Sequence, residues 1–317
     1  MPLGLTIFFD HYEGSQNVSY GAYILGVLNL KSQALLSPTT KMCLAIVPYA
    51  LDVEITRELV LGELREMQDN GLSVKYEDGS VTQFHVRIAF ACGDSKDLNG
   101  FIGLGNFNSK FGCRSCWVDT NNLKNYHVNF PSKTSFEIQN IYKEATLLEN
   151  VNEPGEAKKL LTSSSLPLKP LSFFFCHLIG DWCKLSPRDI LHAELLGLLK
   201  KEMSHLFKDV LEVEAVEKII AILQQSVFPK GETNLAKKLD KISSFNGREL
   251  KSLVYVLPFA FINLFHPETP WLKCFLKHCY YFRLLTRIKF PKTDKLMIEH
   301  LISEHHFEYS QLYPSKT

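Results

Sequence analysis

The 317-residue sequence has almost no net charge: 35 Lys and Arg stand against 34 Asp and Glu, a formal balance of +1. A freestanding nucleic-acid-binding domain is usually more basic, so any contact with DNA has to come from a local patch. Long apolar runs are missing too. The longest strongly apolar run, LSFFFCHLIG at 171–180, is about half of the roughly 20 residues a membrane-spanning helix needs, which predicts a soluble chain with no membrane contact. No Walker loop, Gly-x-Ser-x-Gly elbow or dinucleotide fingerprint occurs. Nucleotide hydrolase, serine hydrolase and dinucleotide-dependent oxidoreductase readings therefore have no motif to rest on. Internal repeats and low-complexity tracts are also lacking. The cysteines at 43, 92, 113, 116, 176, 183, 274 and 279 do not form the tight framework of a small secreted domain, and no basic-then-apolar leader precedes them. A reduced intracellular compartment is expected.

What is there falls into two textures, with 45% apolar residues to build cores. GLTIFFD (4–10), AYILGVLNL (22–30) and KMCLAIVPYA (41–50), bounded by Gly, Ser, Pro and Asn, predict three successive strands. ITRELVLGELREMQDNGL carries helical spacing and a C-terminal Asn-Gly stop. VKYEDGSVTQFHVRIAFACGD returns to alternation, with a hairpin turn at Asp78-Gly79 and a longer strand closing on Asp94. From 184 onward five segments show helix-spaced apolar residues. The predicted organisation is an α/β core over 1–117, a polar connection over 118–183 containing SKTSFE, NEPGEA and SSSLPLKP, and a helical region over 184–317.

Asp10 closes IFFD and Asp94 closes IAFACGD, the first and last strands of the β-rich region. If those strands are neighbours in a mixed sheet, both carboxylates emerge at one edge and can share Mg²⁺ or Mn²⁺, the hard cations that phosphoryl-transfer sites use. The alternative is that both aspartates simply terminate strands. Nineteen residues beyond Asp94 comes Cys113-x-x-Cys116, a spacing found in zinc knuckles, in redox pairs and in places with no function at all. Three strands, a helix and a further strand, with acids on the first and last, is the order of a ribonuclease-H-like fold.

These blocks together resemble the DDE transposases of the CACTA-like group, whose distant relatives include the catalytic subunit of the V(D)J recombinase. FFDHYEGSQNVSYGAYILGVLNL is similar to the first-aspartate strand of that family. FACGDSKDLNGFIGLGNFNSKFGCRSCW is similar to its second-aspartate block, and PRDILHAELLGLLKKEM to the Asp-x-x-His block that opens its helical insertion. The resemblance spans nearly the whole chain. It implies metal binding by Asp10 and Asp94, half of a Zn²⁺ site at Cys113 and Cys116, and an insertion motif at Asp189 and His192. It also implies DNA as partner, homo-oligomers, a nuclear location and metal-dependent strand cleavage.

The sequence departs from the family pattern at His11, Ala193 and Leu196, where relatives often carry acids, and it stops at Thr317 before a His-rich block and an Arg-Phe-Glu-like helix. The third acid and the zinc-completing histidines are therefore expected to be absent and catalysis impaired, with apolar sheet surface left exposed and solubility poor. A non-catalytic, domesticated DNA- or protein-binding module is the competing reading. Glu194, Glu299, Glu304 and Glu308 are the acids available as replacements, although each suits a solvated helix face. Cys274 and His278 share a helix face and either complete the zinc site or pack in an aromatic core. His305 and His306 are adjacent and so point apart. The segment KHCYYFRLLTRIKFPKTDK offers Arg283, Arg287, Lys289 and Lys292 as candidate DNA contacts, or an ordinary charged helix face.

Overall fold

Alternating apolar residues build the first strand. In β1 (Leu3–Glu13) Leu5, Ile7 and Phe9 are buried, the period of two expected where one face of a strand is covered. The structure is a computed structural model and describes residues 3–13, 19–29, 41–48, 53–94, 98–100, 102–106, 108–122, 130–168, 180–187, 189, 191–228, 235–287, 291 and 293–314. β2 (Ser19–Val27) pairs antiparallel with β1, and β3 (Lys41–Pro48) pairs antiparallel with β2. α1 (Val53–Asn70) buries Val60, Leu61 and, one helical turn on, Leu64, and ends against Gly71 at φ +76°. That left-handed position is where a helix end most often takes glycine.

β4 (Leu72–Lys75) and β5 (Val81–Phe84) form their own two-stranded hairpin. Its turn lies at Asp78-Gly79, where Asp78 Oδ1 accepts the Ser80 N–H at 2.9 Å. β6 (Val86–Cys92) then enters the main sheet beside β1 and parallel to it. The result is a mixed four-stranded sheet of order β3-β2-β1-β6. The Ala91 N–H donates to the Leu185 carbonyl at 3.1 Å, so the 181–187 segment covers the outer side of β6 at that point. Ile46 and Phe90 remain 57% and 40% exposed on the sheet.

The stretch 118–183 is not the polar connection its composition predicts. α2 (Ser135–Asn150) and α3 (Pro154–Ser163) lie within it. Ile138, Tyr142, Ala145, Ala157 and Leu161 join the same core as Leu5, Ile7, Phe9 and Leu61, as does Trp182. α2 opens on a capping box in which Thr134 Oγ1 accepts the Glu137 N–H at 3.2 Å and Glu137 Oε2 accepts the Thr134 N–H at 2.9 Å. The chain divides into two compact units, Met1–Leu123 with Asn129–Asp189, and Lys124–Val128 with Ile190–Thr317.

The secondary-structure elements of the second unit, among its described residues, are all helices. α4 runs without a break through Leu191–Leu199, Lys200–His205 and Leu206–Val210, its outer segments having the wider π-helical hydrogen bonding. α5 (Val213–Gln225), a 3₁₀ segment (Ala236–Ser244), α6 (Gly247–Leu264), α7 (Pro270–Leu285) and α8 (Asp294–Leu312) follow. Leu199, Met203, Leu253, Leu257, Phe261, Phe275 and Phe282 form the centre of its core. The Phe261 ring stands 5.2 Å from Phe275 and 5.5 Å from Trp271, and burial of each such ring contributes about 1.5–3 kcal/mol. No helix of the described residues is long and apolar enough to cross a membrane.

α6 is also started by a capping box: Asn246 Oδ1 accepts the Glu249 N–H and Glu249 Oε2 accepts the Asn246 N–H, both at 3.0 Å. Asn246→Ala is expected to cost about 1 kcal/mol of stability. Urea denaturation checks this, and a midpoint equal to that of the parent protein would contradict it.

Candidate functional site

Backbone pairing brings the two predicted acid positions to neighbouring strands. β1 and β6 run parallel from Leu3↔Val86 to Phe8↔Cys92, with one irregularity between Leu5 and Thr6. Asp10 is two residues past Phe8 and Asp94 two past Cys92. β1 itself does not stop at Asp10 as its sequence predicts. It continues to Glu13, because β2 still pairs with it there, Asp10 opposite Ala22.

The glycine of Gly93-Asp94 has a physical reason. A Cβ added at Gly93 would stand inside 3.0 Å of the Phe9 carbonyl oxygen, so only glycine lets β6 stay against β1 where its ladder ends. Asp94 is half-buried, and its carbonyl accepts the Leu98 N–H at 2.9 Å, opening a helical turn at 98–100. Aspartate is the donor type that Mg²⁺ and Mn²⁺ take.

Close by, the Cys92 thiol is pushed up by burial, drawn down by Thr6 and Arg114, and pushed up again by Asp189. Asp189, half-buried, thus acts on the end of β6 within the first unit. His192 is exposed in the first turn of α4.

Cys113 and Cys116 are half-buried thiols with their sulfurs 3.5 Å apart. Two thiolates on one tetrahedral zinc stand about 3.8 Å apart, given bonds near 2.3 Å, so the pair fits half of such a site. Their turn is laced to 131–133: Trp117 N–H donates to Pro131 O at 2.9 Å and Lys133 N–H to Ser115 O at 2.9 Å. The Lys133 ammonium, almost wholly buried, donates to the carbonyls of Phe111 and Cys113 at 2.7 Å each and lies 4.4 Å from the Trp117 ring centre. Burial pulls its pKa down, against the opposing pull of Cys113, Cys183 and Cys116.

The helical unit holds a buried polar cluster that the sequence did not announce. Glu202 of α4, His278 of α7 and His305 of α8 are all buried, with ligand-type atoms within 4.8 Å of one another. They are the sole group of three such residues among those described. His278 Nδ1 stands 2.5 Å from Glu202 Oε2, and His305 Nε2 stands 3.3 Å from the same oxygen. On its other side His278 Nε2 is 3.5 Å from Glu194 Oε2, which also accepts the Tyr281 hydroxyl at 3.2 Å.

Burial pushes the Glu202 carboxyl up, but the charge on His278 and hydrogen bonds from both imidazoles overcome it and take it down to about 2. Burial likewise pulls His278 down, and the charges and hydrogen bonds of Glu202 and Glu194 lift it to about 9. His305 is held below its ordinary value, first by burial. His306 is taken to about 4 by burial and by the neighbouring His305.

His278 and Cys274 do share a buried face of α7, and Cys274 Sγ is directed at the His305 carbonyl at 3.9 Å. Glu202 had no visible signal: in KKEM it looks like one more surface charge.

The acids available as replacements are each engaged within the helical unit. Glu304 and Glu308 lie 3.1 and 2.6 Å from the Lys277 ammonium, Glu299 lies 3.6 Å from Lys295, and Glu194 belongs to the buried cluster. Of the candidate DNA contacts, Arg283 stands 5.4 Å from the Tyr255 ring and Arg287 is 3.8 Å from Asp294 Oδ2. Lys289 and Lys292 lie outside the described residues. No protein-family model matches the chain, and no curated protein matches it.

Proposed function

We propose that the chain comprises the nuclease core and helical region of a CACTA-like DDE transposase, or of a protein descended from one. In this reading the mixed sheet is ribonuclease-H-like, and Asp10 and Asp94 hold Mg²⁺ or Mn²⁺ for cleavage and transfer of DNA strands. The observation that carries it is the parallel pairing of β1 with β6, with Gly93 against Phe9, which puts both acid positions on neighbouring strands, each two residues beyond the last pair of the β1–β6 ladder. A divalent cation bound there supplies activation of water and neutralises charge at the scissile phosphate. Cys113 and Cys116 would give two thiolates to a structural zinc. DNA as substrate and a nuclear location belong to the same reading.

Two carboxylates hold a second cation weakly, so cleavage by these 317 residues is expected to be slow. A second reading, a non-catalytic DNA- or protein-binding module, is favoured by one observation. The glutamates Glu194, Glu299, Glu304 and Glu308 are all turned to partners of their own helical unit. A nicking assay on supercoiled DNA with Mn²⁺ separates the two readings. The catalytic reading expects slow nicking that falls at least tenfold in Asp94→Ala. Equal nicking by both proteins, or DNA binding with no nicking by either, contradicts it.

A further inference from the structure

We propose that Glu202, His278 and His305 form a buried transition-metal site of the two-histidine, one-carboxylate class that Zn²⁺ takes, joining α4, α7 and α8. The inference does not depend on the transposase reading. It rests first on the donor set. One carboxylate oxygen, Glu202 Oε2, faces two imidazole nitrogens, His278 Nδ1 at 2.5 Å and His305 Nε2 at 3.3 Å. These are the donor types and the number of protein ligands found in His₂Glu zinc sites.

A second observation concerns the rest of the same carboxylate. Glu202 Oε1 is buried and takes no hydrogen bond from a nitrogen or oxygen donor. The buried Cys274 thiol, a weak donor, is the neighbour that acts on this carboxylate, and a charged oxygen left so poorly matched costs about 1–3 kcal/mol or more. Bidentate binding by Glu202 would use that oxygen and bring the donors to four. With metal–ligand bonds near 2.0–2.1 Å, tetrahedral ligand atoms stand about 3.3 Å apart, so the His305 contact already has the right length and the His278 contact has to open by about 0.8 Å.

The surrounding groups fit a metal's outer shell. A ligating histidine commonly directs its second ring nitrogen at a carboxylate, which fixes ring orientation and tautomer. His278 Nε2 faces Glu194 Oε2 at 3.5 Å, Glu194 accepts the Tyr281 hydroxyl, and the His278 and Tyr281 rings stack 4.9 Å apart. Exposure is 0% for both histidine side chains and 1% for Glu202. A closed site of this kind is structural, holding three helices whose ligands are 76 and 103 residues apart in the chain. The alternative occupant of the same space is a proton shared between Glu202 and His278.

The test uses the full chain carrying Cys113→Ser and Cys116→Ser, so that zinc on the Cys-x-x-Cys turn does not contribute. The protein is stripped with chelator, equilibrated with Zn²⁺ and desalted; its metal content is then measured and its zinc X-ray absorption spectrum recorded. About one zinc per chain is expected, with only nitrogen and oxygen in the first shell, and His305→Gln in the same background should weaken binding about 100-fold or more. Absence of retained zinc, an unchanged zinc content in His305→Gln, or a first shell containing sulfur would overturn the site. If His305→Gln does not fold, the metal content and spectrum of the Cys→Ser protein decide alone.

Discussion

In metal-free protein, Glu202→Gln is expected to destabilise the helical unit by about 3–5 kcal/mol near neutral pH, the range for breaking one partner out of a buried ion pair. The carboxylate is buried and is the nearest counter-charge to His278, so the substitution leaves an imidazolium in the core or forces it to lose its proton. The pH dependence separates this from a simple packing defect. His278 has a folded pKa of about 9 against an ordinary 6.5, so its contribution is complete below 6.5 and is lost as pH rises through 9.

Glu202, at about 2 against an ordinary 4.5, contributes fully above 4.5 and loses that contribution as pH falls towards 2. His306, at about 4 against 6.5, and His305, also lowered, favour folding above 6.5 and cost stability as pH falls below it. Together these effects make the cluster's own contribution to stability greatest near pH 6.5. Thermal unfolding of chelator-treated protein across pH should therefore decline on both sides for the parent chain. The decline between about pH 6.5 and 9 should weaken in Glu202→Gln, where Glu194 alone still faces His278, while the loss above pH 9 that the buried Cys274 and Cys279 thiols bring remains. An unchanged decline between 6.5 and 9 would rule out the His278–Glu202 pair as its source.

Gly93→Val carries the second large effect. The new side chain cannot coexist with the Phe9 carbonyl at its present distance, so β6 has to leave β1 at the end of their ladder, at a cost of about 1–3 kcal/mol or somewhat more. It should also separate the Asp10 and Asp94 positions and remove any metal-dependent activity. Gly100→Ala is the control: nothing lies within 4 Å of a Cβ added there, and its stability should change by no more than about 0.5 kcal/mol. Chemical denaturation of the two variants checks the prediction. Equal midpoints would mean that β6 does not need the close approach.

Much of the architecture was legible because period carries it. The alternation in GLTIFFD and the helical spacing in GRELKSLVYVLPFAFINLF are local signals, and β1 and α6 follow them. The Asp78-Gly79 turn was visible for the same reason. α2 and α3 were missed since their buried residues are sparse and the Pro, Gly and Ser around them signal a loop, although the Thr134-x-x-Glu137 box marks a helix start. The buried cluster could not be read at all from local pattern. Glu202 meets His278 and His305 only after three helices pack, and nothing local distinguishes it from a solvated glutamate.

The most direct measurement of the central claim, that Asp10 and Asp94 share a divalent cation, is Fe²⁺-directed cleavage of the polypeptide. Iron loaded in place of Mg²⁺, with ascorbate and peroxide, cuts the backbone beside its ligands, and mass spectrometry locates the cuts. Cuts around residues 10 and 94 that Mg²⁺ competes away and that Asp94→Ala abolishes are the predicted result. Their absence there, or their persistence in Asp94→Ala, would contradict the shared site.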